Sequence, residues 1–161
     1  MVEMGGVSIL RGLSKTQQFT GEGSCHMGPR QCNVEPTQDC RKSRVVYKAT
    51  CKICQRMGRI SIYFGTTGCT LHKRTLEHQE ETLRRSTRNA QSKHHWGEHP
   101  NEDPEFETVM VEYPHRFNLE RYISESIQIE GARLDPSVNL VNQRSEWGHT
   151  GVVRLGALPP D

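Results

Sequence analysis

Apolar residues are scarce in this sequence. They make up 33% of 161 residues, and only ten side chains are aromatic. The length allows one domain, but a core built by hydrophobic burial alone would be thin, so some other staple is expected. No apolar run approaches the roughly 18 residues of a membrane span, and the N-terminus lacks the charged-then-apolar order of a signal peptide. The chain therefore reads as intracellular, with no membrane partner. Six cysteines are too few for a disulfide-dense scaffold, and in a reducing compartment they serve as metal ligands or plain thiols. Internal repeats and low-complexity tracts are absent, which excludes solenoids and arrays. Net charge is also small, +2, which taken alone argues against a nucleic-acid partner.

Four segments can be distinguished in what is there. Residues 1–24 are Gly-rich without helical or strand periodicity and read as a flexible lead. Residues 25–43 form a loop segment punctuated by Cys25, Cys32 and Cys40. Residues 44–148 carry the periodic elements, and 149–161 read as a C-terminal tail. Within 44–148, Val45-Val46-Tyr47 and Ile60–Phe64 are β-branched and aromatic runs that predict a two-stranded hairpin, its connection holding Cys51, Cys54 and Gly58. Thr70 is a candidate N-cap for a helix running to about Asn89. A short helix follows over Ala90–Trp96, then a strand over Phe106–Tyr113 stopped by Pro114. Asn118 can cap a last helix in which Leu119, Ile123 and Ile127 recur every four residues, with Gly131 placed for a left-handed C-terminal turn. The order predicts an α+β fold: a small antiparallel three-stranded sheet flanked by helices, with a zinc-knuckle insertion.

That insertion rests on Cys51-x2-Cys54, a spacing that lets two thiolates reach one tetrahedral Zn²⁺ at about 2.3 Å without backbone strain. His94-x4-His99 supplies imidazoles spaced like the second ligand pair of a zinc finger, completing a closed, structural Cys2His2 site. The bland alternative is a pair of buried thiols and some surface histidines. Cys25, Cys32 and Cys40, with His26 as a fourth candidate, can supply a second site, though no regular four-ligand spacing marks it.

The most specific stretch runs from the first strand into the first helix. Tyr47 and Tyr63 lie on paired strands and can present two phenols to one point. Arg74 and His78, four apart, share a helix face and can converge on one anion. Either pair alone is commonplace, since paired tyrosines are usually core and Arg-x3-His is usually a solvated face. Together they resemble the GIY-YIG nuclease family. Val45-Val46-Tyr47 stands in the first tripeptide position and Tyr63-Phe64-Gly65 in the second, and the match continues through Gly68, Leu71, Arg74 and His78. Glu125 matches the metal-binding carboxylate of the family's later helix, and Asn142 its late Asn. The Cys and His pairs, and the ending Asn142-Gln143-Arg144-Ser145-Glu146-Trp147, are most similar to the endonuclease domain of Penelope-like retroelements.

The resemblance implies a metal-dependent endonuclease acting on DNA in the nucleus, with a reverse transcriptase domain or its RNA as a further partner. It implies one Mg²⁺ or Mn²⁺ on Glu125, Tyr47 as general base, Arg74 on the phosphate, Tyr63 orienting water or phosphate, His78 donating to the phosphate or positioning Tyr47, and Asn142 as a brace. The charge distribution supports such a partner. Residues 41–93 carry a balance of +10 and residues 98–146 one of −7, so a small net charge conceals a basic segment. Lys73, Arg84, Arg85 and Arg88 are the candidate phosphate contacts, giving salt-sensitive and weakly sequence-selective binding. Two other readings compete: a zinc-stabilised nucleic-acid-binding module without nuclease activity, and a zinc-bearing protein-interaction domain.

Overall fold

The computed structural model describes residues 32–112 and 114–142. The Gly-rich lead, Cys25 and His26, Tyr113, the motif residues after Asn142 and the tail lie outside the described residues. The elements are β1 (Ser43–Cys51), α1 (Lys52–Arg56), β2 (Ile60–Thr70), α2 (Leu71–Leu83), α3 (Ala90–Glu98), β3 (Phe106–Glu112), α4 (Asn118–Arg133) and β4 (Val138–Leu140).

The class is α+β, but the sheet has four strands in the order β3-β1-β2-β4 and is mixed. β1 is antiparallel to β2 and β3, whereas β4 runs parallel to β2. The expected three-stranded antiparallel sheet is thus corrected by one short edge strand. Val-Asn-Leu has too little alternation to announce itself, and it is recruited after α4 returns the chain to the sheet.

Side chains alternate across a strand, so register decides what shares a face. Tyr47 pairs with Gly65 and Ala49 with Tyr63, which puts both tyrosines and Gly65 on one face. Helix α2 covers that face: Val45, Tyr47 and Leu71 pack with Cys32, Val34 and Cys40. Helix α4 lies on the opposite face, where Ile129 meets Ile62 and Phe64. A third small cluster joins Ala49, Cys51, Ile53, Cys54 and Phe106. The apolar core is therefore divided into small pieces, and the Cys/His groups sit in two of them.

Local chemistry sets the helix ends. Thr70 Oγ1 accepts from Lys73 N at 3.3 Å, and Asn89 Oδ1 accepts from Ser92 N at 3.0 Å. The helix expected to reach Asn89 stops at Leu83, and the chain turns at Arg85 (φ 56°) without a Gly or Pro to mark it. Trp96 Nε1 donates to Thr82 O at 2.7 Å, satisfying one of the terminal carbonyls, while the Arg85 guanidinium lies 4.1 Å over the Trp96 ring. Asn118 is already helical. Phe117 is the N-cap of α4, its backbone N–H bonded to Glu120. Gly131 adopts no left-handed turn either, and α4 runs past it to Arg133. Among the described residues no helix is long and apolar enough to cross a membrane.

Candidate active site and metal centres

The strand register leaves a gap where Gly65 lacks a side chain, and the Tyr47 phenol fills it. A Cβ on Gly65 would lie 2.5 Å from Tyr47 Cζ and 2.8 Å from Tyr63 Cε1. Tyr47 is fully buried. Around it, ring centroids of Tyr47 and Tyr63 are 6.3 Å apart, and those of Tyr63 and His78 are 5.6 Å apart. His78 Nε2 lies 2.7 Å from the Tyr47 hydroxyl, and Arg74 Nε donates to the same oxygen at 3.4 Å. Four residues predicted from sequence thus meet in one cluster.

The protonation state of His78 follows from its other neighbour. Asn89 commits Oδ1 to capping α3, so its amide nitrogen faces His78 Nδ1 at 2.7 Å and donates to it. His78 therefore carries its proton on Nε2 and gives that hydrogen bond to the Tyr47 oxygen. Burial, aided by the Arg74 charge, pushes the imidazole down to about 3, so it is neutral at ordinary pH. Burial likewise pushes the Tyr47 phenol up to about 12, against the opposing pull of Arg74. Arg74 also donates to Glu77 at 2.9 Å, and its bonds to Tyr47 and Glu77 hold it a cation despite desolvation.

The buried neutral His78 has a consequence for stability. Its unfolded counterpart titrates near 6.5, so below that pH the unfolded state binds a proton that the folded state refuses down to about 3. Unfolding free energy should therefore fall by a few kcal/mol between those limits. Urea titrations across this range should show a shallower pH slope for His78→Gln. Equal slopes would mean that His78 is not buried neutral.

Glu125 is buried on α4, and its charge adds to the burial that raises the Tyr47 pKa. Asn142 acts on β2. Its Oδ1 accepts from Phe64 N and its Nδ2 donates to Phe64 O, both at 2.8 Å, so a side-chain amide continues the β4–β2 ladder and fixes the residue between Tyr63 and Gly65. Sequence reasoning missed Arg121, one helical turn before Glu125. It is 5% exposed, and its Nε and Nη1 have no hydrogen-bond partner among the described residues. The guanidinium lies 3.8 Å from where a Cβ on Gly68 would stand. A buried guanidinium lacking acceptors is costly, so the position calls for an anion. The Arg-x3-Glu spacing on a helix that already bore a site carboxylate was the available signal.

The candidate zinc ligands also converge. Donor atoms of Cys51, Cys54, His94 and His99 lie within 4.8 Å of one another and can hold a metal ion. Cys54 Sγ is 3.5 Å from His94 Nε2 and 3.1 Å from His99 Nε2. Zn–S and Zn–N bonds of about 2.3 and 2.0–2.1 Å at a tetrahedral angle imply an S···N edge of about 3.6 Å. Burial pushes the Cys51 thiol up to about 11 and lowers His94, so the imidazole is in its ligand form while the thiol needs a cation to lose its proton. A second group that can hold a metal joins Cys32 and Cys40 to His72, a residue the sequence did not single out.

The candidate DNA contacts do not form one cluster. Lys73 is exposed near the start of α2, whereas Arg84, Arg85 and Arg88 are exposed in the turn after it. No ion pair among the described residues involves any of the four. By contrast, Lys52, Arg56 and Arg59 are tied to Glu107, Glu105 and Glu98. No family model, curated protein or solved structure matches the chain.

Proposed function

We propose that the chain is a metal-dependent DNA endonuclease of the GIY-YIG type it resembles, nicking target DNA for insertion of a retroelement. The observation that carries this reading is the cluster of Tyr47, Tyr63, Arg74 and His78, with the buried carboxylate of Glu125 on α4 as the available metal donor. Phosphodiester hydrolysis needs a nucleophilic water, neutralised non-bridging oxygens and a stabilised leaving oxygen. Arg74 keeps its charge and offers a planar set of donors to a phosphate. Tyr47 accepts the proton of the attacking water as the phenolate, the minor form that its raised pKa leaves at neutral pH. The hydrogen bonds it receives from Arg74 and His78 favour the phenolate against the cost of burial. Tyr63 orients water or phosphate, and Asn142 keeps β2 in register beneath it. Arg121 is a second guanidinium whose missing acceptors a phosphate would supply.

Glu125 offers a hard oxygen donor, and a single carboxylate suits Mg²⁺ or Mn²⁺ keeping most of its waters. Such an ion, when bound, supplies Lewis-acid stabilisation of the phosphate and of the leaving 3′-oxygen. A reverse transcriptase domain extending the exposed 3′-hydroxyl, or its RNA, is the further partner this reading implies, and the nucleus is the compartment where genomic DNA would be cut.

One observation favours a zinc-stabilised nucleic-acid-binding module instead: Tyr47 is fully buried with its pKa raised. Supercoiled plasmid incubated with the protein and Mg²⁺ separates the two. Wild type should produce open circles, with Arg74→Ala and Glu125→Gln slower by about 10²–10³ and Glu125→Gln still shifting DNA in a gel. Salt-sensitive binding without metal-dependent nicking would establish the module. Neither nicking nor binding at low salt would remove both readings.

A further inference from the structure

We propose that Cys32, Cys40 and His72 hold a second zinc ion that clamps the first turn of α2 onto the segment before β1. The three donor atoms lie within 4.8 Å of one another, and the residues are only 6%, 0% and 7% exposed. His72 Nδ1 stands 3.5 Å from Cys32 Sγ, again the S···N edge of about 3.6 Å that a tetrahedral zinc ion requires.

Backbone restraints independent of any metal bring these residues together. His72 N donates to Cys40 O and Leu71 N to Lys42 O, both at 2.8 Å, so two N–H groups that a helix start leaves unpaired are met by this segment. Farther back, Glu35 N bonds to Thr108 O at 2.8 Å and Thr108 N to Asn33 O at 2.7 Å, laying the chain along β3. The Gln38 side chain bonds both the N–H and the C=O of Met110. Cys32 is thus delivered from the β3 side and Cys40 from the α2 side.

Apolar packing would explain two small buried cysteines beside Val34, Val45 and Leu71. It does not explain a buried imidazole whose Nδ1 faces a thiol in place of water. Two thiolates and one imidazole are soft-to-borderline donors that select zinc over magnesium or calcium. The three protein ligands leave one tetrahedral position for a fourth donor. Zinc here would act on the candidate active site by position: Tyr47 and Leu71 pack in the same cluster, and Arg74 follows His72 by two residues. The inference stands without the nuclease reading, since it concerns metal content alone.

Zinc is counted by elemental analysis of the full chain in three forms: wild type, Cys32→Ala/Cys40→Ala, and Cys51→Ala/Cys54→Ala. Two zinc ions per wild-type chain are expected, and each double variant should lose one. To guard against a variant that fails to fold, thiols of the wild type are alkylated before and after chelation and mapped by mass spectrometry. Cys32 and Cys40 should label only after chelation, while exposed Cys69 labels throughout. Since emptying the Cys51/Cys54 site alone would also open these buried thiols, the count of zinc ions on the wild type by native mass spectrometry, two against one, decides. Zinc content unchanged by Cys32→Ala/Cys40→Ala, equal labelling of Cys32 and Cys40 before and after chelation, or a Cys32–Cys40 disulfide would overturn the proposal.

Discussion

Gly65→Ala should slow the proposed nicking by about 10²–10³ and destabilise the fold by about 1–3 kcal/mol. The cause is space. The φ of Gly65 lies outside the left-handed region, so the backbone itself accepts alanine. The new methyl, however, would stand 2.5 Å from Tyr47 Cζ and 2.8 Å from Tyr63 Cε1. Neither ring is a loose end: Tyr47 is fully buried and its oxygen is held by His78 and Arg74. The Tyr47 phenol must therefore leave its two donors, and a displacement near 1 Å at a reacting group costs about 10²-fold. Gly131→Ala is the control. A Cβ there meets nothing within 4 Å, and alanine in a helix should add about 0.5–1 kcal/mol with nicking unchanged. Plasmid nicking and urea unfolding measure the two effects. A Gly65→Ala protein that nicks at the wild-type rate would show that the phenol does no chemistry from this position.

What the sequence makes legible depends on how local the cause is. β1, β2 and α2 can be read because β-branched runs and a Thr cap act within a few residues. β4 cannot, since three residues become a strand only by pairing with β2. Helix α4 shows why periodicity misleads near a candidate active site. Its recurring Leu119, Ile123 and Ile127 would ordinarily mark the buried stripe, yet they are 47%, 41% and 64% exposed. Arg121, Ser124, Glu125 and Ser126 are buried in their place. The helix forms as the pattern predicts but turns its polar residues to the sheet, with Ile129 the apolar contact among them. Asn89 and His72 were illegible for another reason. Their roles come from tertiary neighbours 11 and 40 residues away, and nothing in the local sequence distinguishes them from an ordinary cap and an ordinary helical histidine.

The charge pattern needs a similar revision. A balance of +10 in residues 41–93 overstates the basic surface, since Lys52, Arg56 and Arg59 pair with acids from residues 98–107 at the Cys51/Cys54 end. Lys73 and the Arg84–Arg88 turn keep their charge for a partner, which moves the proposed DNA path toward the two ends of α2.

Removing metal from Cys51, Cys54, His94 and His99 should produce the largest loss of stability. Zinc bound by such a set contributes an apparent 10–16 kcal/mol to the folding of small finger domains, whereas whole domains are stable by about 5–15 kcal/mol. With apolar residues at 33% and the core split into small clusters, little else compensates. Cys51 ends β1, Cys54 lies on α1, His94 lies on α3 and His99 caps α3, so the group joins the hairpin to a helix that otherwise packs mainly on α2. Helix α3 in turn sets the candidate active cluster. Asn89 at its start fixes the tautomer of His78, and Trp96 closes the end of α2. Chelation, or Cys54→Ala, should therefore lower the thermal midpoint by tens of degrees or remove the cooperative transition altogether. The proposed nicking should vanish in step, and zinc should restore both in the chelated wild type but not in the variant. Far-UV circular dichroism with and without chelator reads this directly. A zinc-depleted protein that melts where the zinc-loaded one does would show that buried thiols and histidines alone hold α3 in place.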